Sequence, residues 1–318
     1  MILTVTLNAA IDRTVAVPSF RQGRRHRAVE ASTMAGGKGV NVARALKLLD
    51  RPVIATGLAG GPTGARVMER LTEESILTDF TWIAGESRTN LAVIDPTSGE
   101  QTEIAERGPA VSPEEVLRFV ERLDYLAAGA RVCVLAGSLP PGAGDDLYAR
   151  LVKDLLKRDI VVVLDAEGGA MLEGVRAGAS VITPNEGEAE ELAGQEFADS
   201  GDLAQGLSEL LRLGAGEAAI TRPDGCAAVV GEGTERRFLE ARTESLDPVS
   251  TVGSGDAFLA GYVAARYEGR SAEDCLAYGV ACGAESTQHF GAGTVDRNQV
   301  DRLLAEVRVH DLEVPAEV

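Results

Sequence analysis

Short apolar runs that alternate with helical patterns constrain this chain more than any other feature. The runs 2–7, 53–58, 132–136, 160–164, 179–183 and 217–221 read as strands, and Ile160-Val161-Val162-Val163-Leu164 contains no polar residue. A strand with no polar face is buried on both sides. Around these runs the spacing predicts helices over 39–49, 63–74, 113–128, 144–157, 185–194, 202–213, 256–268, 272–288 and 297–307, with Gly, Pro, Asp and Asn at the joints. Alternation of this kind implies an α/β fold, a doubly wound, mainly parallel sheet with helices on both faces. Ligands of such sheets sit beyond the carboxyl ends of the strands. Two stretches, 9–35 and 83–106, break the alternation. They are richer in β-formers and polar residues, and they are expected to form a small β-sheet lid. With no internal repeat and no long linker, the chain reads as one domain over 1–318 with the two lid segments inserted in it. Residues 310–318 read as a frayed tail.

Charge narrows the function. The chain carries 31 Lys and Arg against 49 Asp and Glu, a net charge of -18. That balance repels nucleic acids and anionic lipid surfaces, so neither is an expected partner. An anionic small molecule needs a locally basic pocket. Cys133, Cys226, Cys275 and Cys282 have no zinc or redox spacing, and three histidines make no convincing metal site. The opening run Ile2-Leu3-Thr4-Val5-Thr6-Leu7 reads as a strand rather than a signal peptide, and no apolar stretch approaches the roughly 18 residues of a membrane helix. A reducing cytoplasm is the expected setting.

The stretch Ser250-Thr251-Val252-Gly253-Ser254-Gly255-Asp256-Ala257-Phe258-Leu259-Ala260-Gly261 runs from a glycine-rich turn straight into a helical pattern. The first turn of a helix has unpaired N–H groups and the positive end of the dipole, and glycines let an anion approach that backbone. The result suits a phosphate in transfer. A carboxylate at its mouth repels phosphate, but it can orient an attacking hydroxyl and accept its proton. That is the role expected of Asp256, with Gly253, Ser254 and Gly255 around the transferred group. An ordinary capped helix, with Ser254 or Asp256 as N-cap, accounts for the same spacing about as well. A dinucleotide fingerprint needs a third glycine where Phe258 stands. Gly37-Lys38 is not a Walker loop, because Gly39 replaces the Ser or Thr.

Val252 to Gly261 resembles the C-terminal signature of the ribokinase-like, phosphofructokinase-B carbohydrate kinases, and Ala35-Gly36-Gly37-Lys38-Gly39-Val40-Asn41-Val42-Ala43 resembles their N-terminal signature. The two lie in the family's order, more than two hundred residues apart. Thr6-Leu7-Asn8-Ala9-Ala10-Ile11-Asp12, Gly137-Ser138-Leu139-Pro140-Pro141-Gly142 and Pro184-Asn185-Glu186-Gly187-Glu188 extend the likeness over nearly the whole chain. The resemblance implies a sugar kinase that uses ATP and Mg²⁺. It assigns sugar contacts to Asp12, Gly37, Lys38 and Asn41. It assigns a phosphate already on the substrate to Arg88 and Ser138, with Arg25 reaching the ligand from the basic run Arg21–Arg27. For the run as a whole an exposed edge strand, its charges discouraging pairing, is the better explanation. Thr183, Asn185, Thr221, Gly225 and Gly283 fall on the ATP side, and Asn185 and Glu188 are expected to position magnesium through water. Asp165 is a further group at the phosphates or the metal. Lids of this family pair, which implies a homodimer through the lid.

The chain also departs from the family. Thr183 stands where relatives of the phosphofructokinase branch carry Lys, and Thr221-Arg222-Pro223-Asp224-Gly225 replaces a Ser-Leu-Gly-x-x-Gly element, with Arg222 able to take over a phosphate contact. Ser250 stands where the family's usual Asp precedes the catalytic loop, which argues against a monovalent-cation site there. Among acceptors the resemblance favours fructose 1-phosphate, giving fructose 1,6-bisphosphate, over tagatose 6-phosphate and fructose 6-phosphate. A neutral sugar or nucleoside kinase, and a non-catalytic sugar-binding regulator on the same fold, remain open at this point. A dehydrogenase is a weaker third reading.

Overall fold

The computed structural model describes residues 1–231, 233–244 and 246–312. The chain opens with β1 (Ile2–Thr6), β2 (Ala10–Ala16), β3 (Glu30–Gly36), α1 (Lys38–Leu48), β4 (Val53–Gly60), α2 (Gly61–Glu73), β5 (Leu77–Ile83), β6 (Arg88–Ile94) and β7 (Gln101–Ile104). The middle holds α3 (Pro113–Ala127), β8 (Val132–Ala136), α4 (Leu147–Leu156), β9 (Val161–Asp165), α5 (Gly168–Arg176), β10 (Val181–Ile182), α6 (Glu186–Ala193) and α7 (Ser200–Leu213). It ends with β11 (Glu217–Arg222), β12 (Gly225–Val230), β13 (Arg237–Arg242), α8 (Ser254–Tyr267), α9 (Ala272–Ser286), α10 (Arg297–Leu304) and β14 (Arg308–Asp311).

Ten strands form one sheet in the order β14-β13-β12-β11-β10-β9-β8-β1-β4-β5. From β5 to β11 every neighbour is parallel, and β12 to β14 add an antiparallel margin. The strand β1 is buried from end to end, and its side chains alternate between two cores as a pleated strand requires. Ile2 joins Val40, Leu46, Leu259 and Val263 on the face covered by α1, α8 and α9. Leu3 and Val5 join Phe119, Tyr148 and Leu207 on the face covered by α3, α4 and α7. Local chemistry marks the helix starts. Ser112 caps α3 and Asn185 caps α6, each in a reciprocal capping box with a glutamate three residues on.

A separate four-stranded sheet, β3-β2-β6-β7, comes from within the two stretches that break the alternation. The basic run lies in the loop 17–29 between β2 and β3, not on an edge strand as the charge pattern also allowed. Asp95 pins the start of this loop, accepting from the N–H groups of Ser19 and Phe20 at 2.9 and 2.7 Å.

The structure corrects several expectations. The strands β5, β12, β13 and β14 and the helix α5 were not expected. β5 and β14 are the sheet's edges, and α5 is a nine-residue helix in a Gly-rich segment, so none has a strong apolar period. Residues 308–311 are not frayed, because they pair with β13 in the register Glu240↔His310. The remainder of the expected tail, 313–318, lies outside the described residues.

Candidate active site

The carboxyl ends of the parallel strands deliver the loops that open a cleft of about 740 Å³, within the ~300–1,000 Å³ of ordinary ligand pockets. Its wall includes Lys38, Asp165, Thr183, Glu188, Gly255 and Asp256. A second cavity of about 110 Å³ lies against the small sheet, lined among others by Asp12, Asn90, Asn41 and Arg44.

Asp256 stands between the two. It is in the first turn of α8, 7% exposed, and its Oδ2 accepts from Asn41 Nδ2 at 2.8 Å. Asn41 is on the wall of the small cavity and Asp256 on that of the large one. Burial raises the Asp256 carboxyl to about 7, and nearby Asp165 pushes the same way. The Asn41 hydrogen bond and Lys38 oppose them. A carboxylate with that affinity can exchange a proton near neutral pH.

The glycines before it divide the labour. Gly253 is the N-cap of α8 at φ 77°, and no side chain caps this helix, which removes the capped-helix explanation for Ser254 and Asp256. A Cβ at Gly253 would stand 2.4 Å from Ala292 Cβ, whereas one at Gly255 would meet nothing within 4 Å. Gly255 therefore borders space that the protein leaves open. The Ser254 N–H donates to Thr251 O at 3.3 Å, so it is less free for a ligand than expected. Gly253→Ala is expected to lose stability by about 1–2 kcal/mol from the left-handed backbone alone, plus the clash. Gly255→Ala is expected to keep its Tm while its KM for the cleft's ligand rises. Thermal melts and steady-state kinetics on the pair check this, and equal Tm losses would contradict it.

Lys38, expected at the sugar, points into the large cleft instead. Its Nζ lies 2.8 Å from Asp165 Oδ1 and 3.8 Å from both Glu167 and Glu188. Burial works against its charge, but Asp165 prevails and holds the ammonium above its ordinary value. Asn185 and Glu188 are tied to each other as a capping box, with Glu188 Oε2 accepting from Asn185 N and Asn185 Oδ1 from Glu188 N, both at 2.9 Å. Among the described residues no three acidic, His or Cys side chains are arranged to hold a metal by themselves. Thr183, 5% exposed on the cleft wall, has a hydroxyl with no partner among the described residues. Thr221 binds Pro184 O through its N–H at 2.9 Å, and Gly225 at φ 150° lets β12 turn close against Ala241 O. Gly283 both lines the cleft and lets α9 pack on Phe258 and Ser254 of α8. Arg222 is engaged by Glu186 and Glu240 at 3.1 and 3.3 Å.

On the other side, the Asp12 carboxylate is pressed against Gly36, where a Cβ would stand 1.9 Å from Oδ2. Asn90 Nδ2 donates to Asp12 Oδ1 at 2.8 Å. Burial raises Asp12 above its usual range, with the Asn90 bond and Arg88 opposing. Gly37, at φ 103°, starts α1 beside it. Arg88 donates through Nε to Asn8 O and through a terminal nitrogen to Glu106 O, each at 3.0 Å, while Asn8 Nδ2 donates to Ser138 Oγ at 3.2 Å. Arg88 and Ser138 are thus joined through Asn8, close to Asp12 but outside the lining of both cavities. Arg25 is exposed in the loop 17–29 and lines neither cavity, so a single chain does not bring it to the site. Asn8, Asn90 and Arg44 were missed as site residues. The one signal for Arg44 was a charge three residues after Asn41, set within the apolar run Val42-Ala43-Arg44-Ala45-Leu46.

This fold is that of the ribokinase-like kinases. Arabidopsis thaliana ribokinase, complexed with ribose and ATP, superposes with a TM-score of 0.75 over 95% of this chain and 98% of its own, and at 21% identity that likeness speaks for the fold alone. Escherichia coli phosphofructokinase-2 with substrates and products superposes with a TM-score of 0.89 at 26% identity, over 96% of this chain and 98% of its own. The 1-phosphofructokinase of Borreliella burgdorferi is 30% identical over 313 residues, 98% of this chain and 99% of that protein. Residues 3–298 match the family described as pfkB family carbohydrate kinase. The chain belongs to the pfkB family and is a sugar kinase.

Proposed function

We propose that the protein transfers the γ-phosphoryl group of ATP to a hydroxyl of a phosphorylated ketohexose, with fructose 1-phosphate as the leading acceptor and fructose 1,6-bisphosphate as the product. The observation that carries this reading is the position of Asp256, a buried acid on the wall of one cavity and one hydrogen bond from the wall of the other. The large cleft takes the nucleotide and the small one the sugar. The sugar oxygen attacks the γ-phosphorus, the bond to the ADP oxygen breaks, and the hydroxyl proton passes to Asp256 Oδ. Gly255, where the cleft is open, and the uncapped start of α8 face the transferred group. Lys38 follows its charge from the cleft side. Asp12 and Asn41 hold the sugar's hydroxyls, and Asn90 orients Asp12 by occupying one of its oxygens. Arg88 and Ser138 receive the resident phosphate. The 30% identity to a 1-phosphofructokinase over nearly the full length of both chains favours fructose 1-phosphate among the ketohexose phosphates.

Magnesium fits the donor set. Glu188 Oε1 lies outside the capping box and offers an oxygen suited to the water shell of a hard, well-hydrated cation. Held through water by Asn185 and Glu188, the ion would neutralise phosphate charge. Thr183 offers its unpartnered hydroxyl to the nucleotide, and Thr221, Gly225 and Gly283 border it.

A coupled ADP-release screen over fructose 1-phosphate, fructose 6-phosphate, tagatose 6-phosphate, ribose and adenosine tests the reading. Fastest turnover is expected on fructose 1-phosphate, and a preference for ribose or adenosine would overturn it. Because Asp256 must be ionised to accept a proton, kcat is expected to fall as pH drops through about 7, the value to which burial pushes this carboxyl. A kcat profile that stays flat below pH 7 would exclude Asp256 as the base.

The reading includes a homodimer through the small sheet, whose segments leave Val29 and Ile104 exposed, and light scattering measures it. It also includes a cytoplasmic setting. That is supported by four free, buried cysteines.

A further inference from the structure

Arg44 is 4% exposed, and every donor of its guanidinium is used. Nε donates to Glu74 Oε2 at 2.6 Å. One terminal nitrogen donates to Asn41 Oδ1 and Ala292 O at 3.0 and 2.9 Å, the other to Ala35 O and Glu74 Oε1 at 2.6 and 3.1 Å. Five N–H groups in a rigid fork, all satisfied, leave the group one orientation. Its partners surround the acid. Asn41 donates to Asp256, Ala292 is the residue against which Gly253 packs at the start of α8, and Ala35 is the next-to-last residue of β3, just before Gly36 and Gly37. Glu74, at the end of α2, lines neither cavity.

We propose that Arg44, anchored by Glu74, is the positioning residue of the reaction: by donating to Asn41 Oδ1 it turns the Asn41 amide so that Nδ2 must face Asp256, and by binding Ala292 O and Ala35 O it sets the catalytic turn and the sugar-side turn at one separation. An amide can present either its oxygen or its nitrogen to a carboxylate. Only the nitrogen supports the ionised form, and a cationic donor on the oxygen decides between the two. The inference rests on the assignment of Asp256 as the base.

Arg44→Lys and Glu74→Gln test it. Lysine keeps the charge and loses the fork, so any effect reports orientation and not net charge. The other groups facing Asp256 stay in place, namely Asp165 from β9, Lys38 from α1 and Asp12 from β2. With melts confirming a folded chain, kcat is read between about pH 5 and 9 on the fastest acceptor of the screen. The acid limb in Arg44→Lys is expected to move up by about one pH unit, the cost of a weakened hydrogen bond to a charged acceptor. Glu74→Gln shifts it less in the same direction, and KM for ATP is unchanged in both. Folded variants whose acid limb stays at the wild-type position would overturn the proposal, even with a lower kcat, because a merely structural role moves the rate and not the limb. If Arg44→Lys does not fold, Glu74→Gln decides. If Asp256→Asn turns over at the wild-type rate, the base assignment itself is what fails.

Discussion

Asp256→Asn is expected to lower kcat by about 10³-fold, the contribution of a positioned general base. Asparagine keeps the size and cannot accept the proton. The same substitution is expected to raise Tm at alkaline pH. The folded-state carboxyl is pushed up to about 7 by burial, so the native protein holds a proton that the unfolded chain has released by pH 5. The stability linked to this group is therefore fully present at acid pH and lost as pH rises through about 7. A neutral amide escapes that loss. Single-turnover kinetics and melts at pH 8 check both halves. A variant that is inactive but melts lower would mean that Asp256 serves the fold, and one that is fully active would refute the kinase mechanism.

Arg88→Ala is expected to lower kcat/KM for fructose 1-phosphate by about 10²–10³, the cost of removing one partner of a partly desolvated charge pair. Two backbone carbonyls take donors of its guanidinium without taking its charge. Burial depresses the Arg88 pKa, opposed by Asp12, Glu167 and Glu106, and an incoming phosphate adds a dianion to that set. Ribose, which lacks that phosphate, is expected to lose little with the same variant. Comparable losses on both sugars would show that Arg88 supports the sheet and not the substrate.

Part of the candidate site's local geometry was legible because it is carried by adjacent residues. Gly253-Ser254-Gly255-Asp256 places an acid at a glycine-led helix start from four adjacent residues, and Asn185 and Glu188 are spaced for one helical turn. What such spacing leaves open is direction. Lys38 was expected at the sugar, yet its long side chain swings to Asp165, a partner 127 residues away that only the sheet order brings near. Asn185 and Glu188 keep their places, but part of their bonding capacity goes into the helix start. Arg44 reads as an isolated charge until α2, β3 and the turn at Ala292 are packed around it.

Continuous apolar runs marked the buried centre of the sheet, and the 3.6-residue period marked nine of the ten α-helices among the described residues, because both signals show in any short window. In the antiparallel margin β12 and β13 follow β11 in sequence, whereas β14 is set by pairing with a strand far back in the chain, to which composition is nearly blind. The separation of Asp256 from Asp12, the wall each lines, and the arginine that spans them arise where strands remote in the chain end side by side. Contacts of that kind depend on the closed fold, and no window of sequence contains them.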